Sequence, residues 1–256
     1  MRDDFYVRRE DNENCWYKDF CEKYGTSDCK YTCKKFTQTD YMFQLSNLPK
    51  RWWKPVKVST DFLSDYSAEI LNTIVADCEF FVLSGFNLYL YGHVGVGKTS
   101  WAIKIMNRFI ADIAERNDFT PRAIYVNVPS FLRDAKLHMK YVDNNYLEFL
   151  KTIQTCNLVV WDEIGQTDPT NFESQWLYSY INERIFAGKS NIFTSNLSPD
   201  KLREIDKRLE SRICQGSDCI EVEGEDMRPK TTYTSYMSQE VNDDGTDTDT
   251  EQDTEI

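Results

Sequence analysis

Residues 88–100 read LYLYGHVGVGKTS, with three glycines inside six positions between an apolar run and a stretch of helical spacing. Glycine costs backbone entropy wherever it is ordered, so three together mark a main chain that something approaches closely. Gly92 through Thr99 fit G-x-x-x-x-G-K-[ST]. In such a loop the backbone N–H groups surround phosphates, and side chains at the glycine positions would hold the ligand off. Gly92, His93, Val94, Gly95, Val96 and Gly97 form the cradle, and Ser100 leads on into the helix. Lys98 then neutralises the β- and γ-phosphates, and the Thr99 hydroxyl ligates magnesium. The helix that begins there turns its N-terminal dipole toward the anion. A nucleoside triphosphate is the ligand this stretch predicts.

Regular alternation surrounds the loop. SAEILNTIVADCEFF has helical spacing, then NLYLYG reads as a strand, 98–116 as a helix and AIYVNV (123–128) as a strand. A helix over 130–154, strand NLVVWD, a helix over 172–187, strand NIFTSN (191–196), a helix over 199–213 and strand CIEVEG follow. Short apolar strands alternating with helices predict an α/β fold with a parallel sheet covered on both faces.

LVVWDEIG supplies the second half of a triphosphate site, an acidic pair at a strand end. Asp162 would hold magnesium, mainly through water, and Glu163 would polarise the attacking water. The carboxyl ends of parallel strands line the ligand crevice, so Asn196, at the end of NIFTSN, is placed to reach the γ-phosphate or the attacking water. Asn196 followed by LSPD is equally an ordinary helix start.

The rest of the chain is less regular. Residues 8–44 hold no Leu, Ile or Val, but eight Trp, Tyr or Phe and Cys15, Cys21, Cys29 and Cys33. A segment without aliphatics cannot fold unaided. Four thiolates on one zinc ion would staple it; the alternative is reduced cysteines in a loosely ordered arm. Residues 45–60, LSNLPKRWWKPVKVST, read as a basic, aromatic linker. Its tryptophans either dock on the next domain, the favoured reading, or stack on single-stranded nucleic acid.

The net charge of −12 is concentrated: eight acids and no Lys or Arg lie beyond residue 230, and without them the remainder carries −4. The stretch 230–256 has little to bury and is expected to be disordered. The body, only mildly acidic, leaves room for basic patches. Arg133, Lys136 and Lys140 share one helical face and would supply the electrostatic attraction that single-stranded DNA requires, although such a face is commonly just solvated. MRDDFYVRRE lacks the apolar core of a signal peptide, and no window approaches a membrane span. A cytoplasmic protein with reduced or metal-bound cysteines is the expectation.

Taken in order, GHVGVGKTS, LVVWDEIG, FTSNLSPDKL and RLESRI resemble the AAA+ ATPases, and most of all the DnaC/DnaI-type loaders of the replicative helicase with their IstB relatives. NLPKRWW is similar to the IPKRY stretch of the loaders, and INERIF to their INxRY helix. The resemblance spans roughly residues 46–229. It implies a three-layer AAA+ P-loop fold without a C-terminal lid, preceded by a Cys-rich module (1–44) and the linker (45–60), with the ATPase domain at 61–229. It assigns Lys98 and Thr99 to the first nucleotide motif, Asp162 and Glu163 to the second, and Asn196 to the first sensor. It makes Arg212 the arginine finger that reaches a neighbouring subunit's ATP, with Arg208 as the substitute. The cofactors it implies are ATP and magnesium. The partners are a DnaB-type helicase, single-stranded DNA and a neighbouring subunit, with hydrolysis weak until assembled. An IstB-like transposition helper and a non-catalytic helicase-binding adaptor are the rival functions. The cysteine spacing differs from that of the loaders' zinc module, and Arg228 in GEDMR has no assigned role.

Overall fold

The computed structural model describes residues 15, 18, 21–26, 29, 33–61, 63–116, 119–138, 143–166 and 169–226. The apolar runs read as strands become β1 (Asn87–Tyr91), β2 (Ala123–Asn127), β3 (Leu158–Ile164), β4 (Ser190–Ser195) and β5 (Ser217–Glu221). All pair in parallel, in the order β2-β3-β4-β1-β5. Around them lie α1 (Lys34–Leu45), α2 (Asp65–Ala76), α3 (Cys78–Leu83), α4 (Lys98–Ile113), α5 (Val128–His138), α6 (Asn144–Thr155), α7 (Asn171–Phe186), α8 (Pro199–Ile205) and α9 (Lys207–Cys214).

Strand side chains alternate between two cores, because successive Cβ atoms leave a strand on opposite faces. Leu88, Leu90, Leu158, Val160 and Ile192 join residues of α1 to α4, among them Phe43, Leu71, Phe81 and Trp101. Tyr89, Val159, Trp161 and Phe193 join Phe131, Ile153, Ile181 and Ile213 from the helices α5, α6, α7 and α9. Helices, sheet and helices thus form the three layers. Buried on both faces, the central strands read as nearly unbroken apolar runs.

Helix ends follow local chemistry. Ser64 caps α2 by accepting from the Ser67 N–H, and Thr170 with Glu173 forms a reciprocal capping box on α7. Ser198 caps α8, whose first residue is Pro199.

Two long helices expected from the sequence are each divided. The stretch 130–154 becomes α5 and α6, with Asp143 capping the latter, and 199–213 becomes α8 and α9. There Asp206 leaves helical geometry (φ −145°, ψ 94°), and its carboxylate accepts from the N–H groups of Arg208 and Leu209. An N-cap carboxylate satisfies two orphan donors at once, which periodicity alone does not reveal. The last strand starts two residues earlier than expected, at Ser217.

Helix α1 crosses the position expected to separate an N-terminal module from the linker, and its Met42 and Phe43 belong to the first core. The linker's tryptophans dock as well. Trp53 stacks on Phe43 (6.2 Å between centroids) and donates its indole N–H to the Leu48 carbonyl at 2.7 Å. Asn107 of α4 donates to the carbonyls of Trp52 and Lys54. Lys50 and Arg51 lie over the Trp53 and Trp52 rings, 5.9 and 5.6 Å from their centroids. Of the two readings left open by the sequence, docking is the one the structure adopts. The stretch 230–256 lies outside the described residues. Among those described, no helix is long and apolar enough to cross a membrane.

Candidate nucleotide site

The cradle closes the carboxyl end of β1. Gly92, Gly95 and Gly97 have φ of 141°, 84° and 97°, values that side chains with a Cβ rarely adopt. Gly97 is the left-handed N-cap of α4, which directs the free N–H groups of its first turn to the loop. His93 and Val94 are exposed at the crest, and Val96 is buried in the first core. Lys98 is 7% exposed, and its ammonium donates to the carbonyls of Gly92 (2.9 Å) and His93 (2.5 Å). The cation therefore already sits inside the loop that it would neutralise a phosphate from. Ser100 lies in the first turn of α4.

Asp162 meets Thr99 at the start of α4, and Glu163 follows it in an irregularity of β3. The β3–β4 register runs from Trp161↔Phe193 to Ile164↔Ser195, so three steps on β3 oppose two on β4. The extra residue is a bulge, a device that re-aims side chains. Within it Glu163 takes φ 67°, strained for a residue with a side chain. Thr194 stabilises the bulge from both directions: its hydroxyl accepts from the Glu163 N–H (3.0 Å) and donates to Asp162 Oδ1 (2.6 Å).

Asp162 is 3% exposed and is held by two more hydroxyls, Thr99 Oγ1 to Oδ1 at 2.7 Å and Tyr125 OH to Oδ2 at 2.5 Å. Burial, together with the Asp162 charge, pushes the Tyr125 phenol far above its ordinary pKa, so it remains a donor. Asn127 donates to Glu163 Oε2 at 2.8 Å. Both reach across because β2 is the neighbour of β3, with Asn127 opposite Asp162.

Of the sequence-predicted residues, Thr99 and Asp162 are in direct contact, Lys98 sits within the loop, and Glu163 is held beside Asp162 by Asn127 and Thr194. The Thr99 and Asp162 oxygens, 2.7 Å apart, are the hard donors magnesium takes, and the cradle glycines carry no β-carbon to hold a phosphate off the main chain. These residues fit a magnesium–nucleotide group. Asn196 is exposed just beyond β4, and Thr194 is the residue of that strand that touches the acidic pair. Tyr125, Asn127 and Thr194 are additions that the sequence reading did not select. The signal available was period-two alternation at the ends of β2 and β4, which places Thr194 rather than Ser195 on the Asp162 side.

Other predicted residues lie elsewhere. Arg208 and Arg212 are exposed on α9 and share Tyr178 of α7: Arg212 Nε donates to its hydroxyl at 3.3 Å, and the Arg208 guanidinium lies 5.6 Å from its ring centroid. On α5, Arg133 is exposed beside Asp134 (3.5 Å), and Lys136 pairs with Glu173 at 2.9 Å. Lys140 and Arg228 lie outside the described residues.

The zinc expectation is corrected. Among the described residues, no group of three or more His, Cys, Asp or Glu side chains could hold a metal, although Cys15, Cys21, Cys29 and Cys33 are all described. Cys33 is the N-cap of α1, whose Met42 and Phe43 join the first core. The other three close separate local turns or follow them: Cys15 O accepts from Lys18 N, Cys21 O from Tyr24 N, and Cys29 N donates to Thr26 O.

A strand–glycine loop–helix unit facing a strand-end Asp-Glu pair, in a β2-β3-β4-β1-β5 parallel sheet, defines an AAA+ P-loop protein. Residues 71–219, more than half of the chain, match the family of the bacterial DnaA ATPase domain, and the chain belongs to that family. It is 31% identical over 120 residues to the replicative helicase loader DnaI of Bacillus subtilis (strain 168), a match covering 46% of this chain and 36% of DnaI. The match therefore spans about a third of that relative's length. Among solved structures, the DnaC helicase loader superposes with a TM-score of 0.55 at 20% identity, covering 68% of this chain and 100% of that one. A replication initiator DnaA bound to AMPPCP and single-stranded DNA superposes at 0.51 with 18% identity, covering 80% and 55%. At these identities the structural likeness establishes the fold. It also bears out the AAA+ three-layer sheet read from the sequence; among the described residues no element follows β5.

Proposed function

We propose that this protein is an ATP-dependent loader that places a DnaB-type replicative helicase on single-stranded DNA during replication initiation. The observation that carries the reading is the contact of Thr99, next to Lys98 at the start of α4, with Asp162, next to Glu163 at the end of β3, in a chain related by sequence to a helicase loader. Lys98 and the cradle would bind the triphosphate, Thr99 and Asp162 would hold magnesium, and Glu163 would take a proton from the attacking water. Magnesium, when bound there, would supply charge neutralisation for the phosphates.

Thr194 and Asn127 are positioning residues, since each acts through Glu163 or Asp162. Arg212, with Arg208 beside it, belongs on an outer helix if its task is to complete a neighbouring subunit's site, so turnover by the isolated chain is weak. Arg133 and Lys136 offer part of a basic face to DNA. The ATP γ-phosphate biases one assembly state, and hydrolysis removes that bias.

The test is binding to a DnaB-type helicase, followed by size-exclusion chromatography with light scattering, with and without ATP and magnesium. A complex that responds to ATP in wild type but not in Lys98→Ala supports loading. A complex indifferent to both favours the adaptor, and no complex with ATP binding intact favours a DNA-remodelling helper.

A further inference from the structure

The segment that follows β5 runs onto the phosphate loop. Val222 is buried and extends the β1–β5 pairing by donating its N–H to the Tyr91 carbonyl at 2.7 Å. Its own carbonyl oxygen lies so close to Gly92 that a β-carbon there would overlap it. Two residues on, Gly224 adopts φ 135°, which lets the chain turn. Asp226 then sets its carboxylate directly against Gly95, where a β-carbon would overlap the carboxylate. Two glycines that the motif reserves for phosphate are therefore both packed against one acidic segment, which also carries exposed Glu223 and Glu225.

A carboxylate on this loop is an anion beside donors arranged for anions: the cradle's N–H groups, the N-terminus of α4 and the Lys98 ammonium. We propose that Asp226 is an internal competitor of the triphosphate, and that residues 222–226 form a strap, anchored at Val222 and turning at Gly224, that leaves Gly95 when a nucleotide enters. The inference rests on the nucleotide reading above and adds a regulation of that site.

A strap that occupies the loop lowers apparent nucleotide affinity by the fraction of time it is seated. Linkage makes the effect reciprocal, so nucleotide displaces the strap and signals occupancy to the chain beyond Asp226.

The experiment is equilibrium binding of a fluorescent ATP analogue at low salt to the full chain. The variants are Asp226→Asn, Asp226→Ala and, as a charge-matched control on the same segment, Glu225→Gln. Both Asp226 variants should bind roughly three- to tenfold tighter than wild type. Glu225→Gln should stay within about twofold, because an exposed acid off the loop contributes little. The Asp226 advantage should shrink as salt rises. In parallel, cleavage after Glu223 and Glu225 by a glutamate-specific protease should quicken when ATP is added to wild type.

Unchanged affinity in both Asp226 variants overturns the competition. Weaker binding also overturns it and makes Asp226 a nucleotide contact instead. Lys98→Ala, made in wild type and in Asp226→Asn, separates the two levels. If it abolishes binding in both, the nucleotide site stands whatever Asp226 does. If binding persists, the nucleotide reading fails and the competition fails with it.

Discussion

The two ends of the sheet each bury a charged side chain, and they satisfy it in opposite ways. At the amino end Arg184 is fully buried and donates to four main-chain carbonyls, those of Ile153, Cys156, Asn157 and Ser190, and to Asn191 Oδ1. Asn191 in turn accepts from the Trp161 indole and donates to Asn87. At the carboxyl end Asp162 is held by the hydroxyls of Thr99, Thr194 and Tyr125. Carbonyls of packed strands and helix ends cannot move aside, so the arginine is a fixed clasp joining the ends of α6 and α7 to the starts of β3 and β4. A hydroxyl can rotate and give its place to a cation. The difference teaches that the kind of partner, more than burial, separates a charge that holds the fold from one proposed to do chemistry.

The comparison breaks most severely at the clasp. Arg184→Ala strands several buried acceptors together, so unfolding in urea should show a loss of about 3–5 kcal/mol. Desolvation lowers the Arg184 pKa from its ordinary value, yet arginine starts so high that the clasp stays charged across the working pH range. The same variant should keep wild-type nucleotide affinity in its folded fraction; a loss there would show the two ends to be coupled. At the other end the expectation reverses. Glu163→Gln should lower ATP turnover by about a hundredfold or more in the assembled state while ATP binding persists. Its stability should change by no more than about 0.5 kcal/mol. Phosphate release in the presence of helicase and DNA, beside a urea titration, decides both points.

This contrast also governs how much could be read from the sequence. The glycine loop, Lys98, Thr99 and the Asp162–Glu163 pair are legible because chemistry imposes their residue types at short fixed spacings. The parallel sheet is legible because strands buried on both faces must be apolar. Tyr125, Asn127 and Thr194 are not, because each matters only through strand order: β2 beside β3, and Thr194 opposite a bulge that periodicity does not show. Asn196 was the natural choice at the end of an apolar strand, but the strand ends at Ser195 and leaves Asn196 exposed. Arg184, inside INERIF, reads like a solvated helix residue until β4 and the end of α6 are packed around it. Helix α1 stayed hidden because Met42 and Phe43 do the burying in a segment without aliphatics. The cysteines misled because their count suggested a shared ion, whereas Cys33 caps a helix whose Met42 and Phe43 join the first core.

Thr194→Val sharpens the comparison at smaller scale. The valine removes the donor to Asp162 and leaves the N–H of a strained Glu163 without its acceptor. Turnover should fall by about tenfold and stability by about 1–2 kcal/mol, the cost of one unsatisfied buried amide. Thr194→Ser retains both hydrogen bonds and should restore turnover. If serine fails where threonine works, the methyl group rather than the hydroxyl positions the bulge.

The smallest expected effect lies on the surface, where a charge already has a partner. Lys136 pairs with Glu173 at 2.9 Å, and Glu173 also closes the capping box of α7. Its carboxyl is held below the ordinary range, first by Lys136 and then by the Thr170 N–H. A carboxyl with a lowered folded pKa contributes stability above its unfolded pKa and loses it as pH falls through the folded one. Lys136→Gln should therefore cost about 0.5 kcal/mol at neutral pH, and that difference should vanish in acid, once Glu173 is protonated in wild type and variant alike. The pair also bears on DNA. An ammonium tied to Glu173 must leave it to neutralise a phosphate, whereas among the described residues Arg133 has an adjacent Asp134 at 3.5 Å to leave. Arg133→Glu should accordingly weaken single-strand binding more than Lys136→Glu, and reduce its salt dependence more. The reverse order would mean that the α5–α7 ion pair opens readily and that the face is shaped for the strand rather than for the fold.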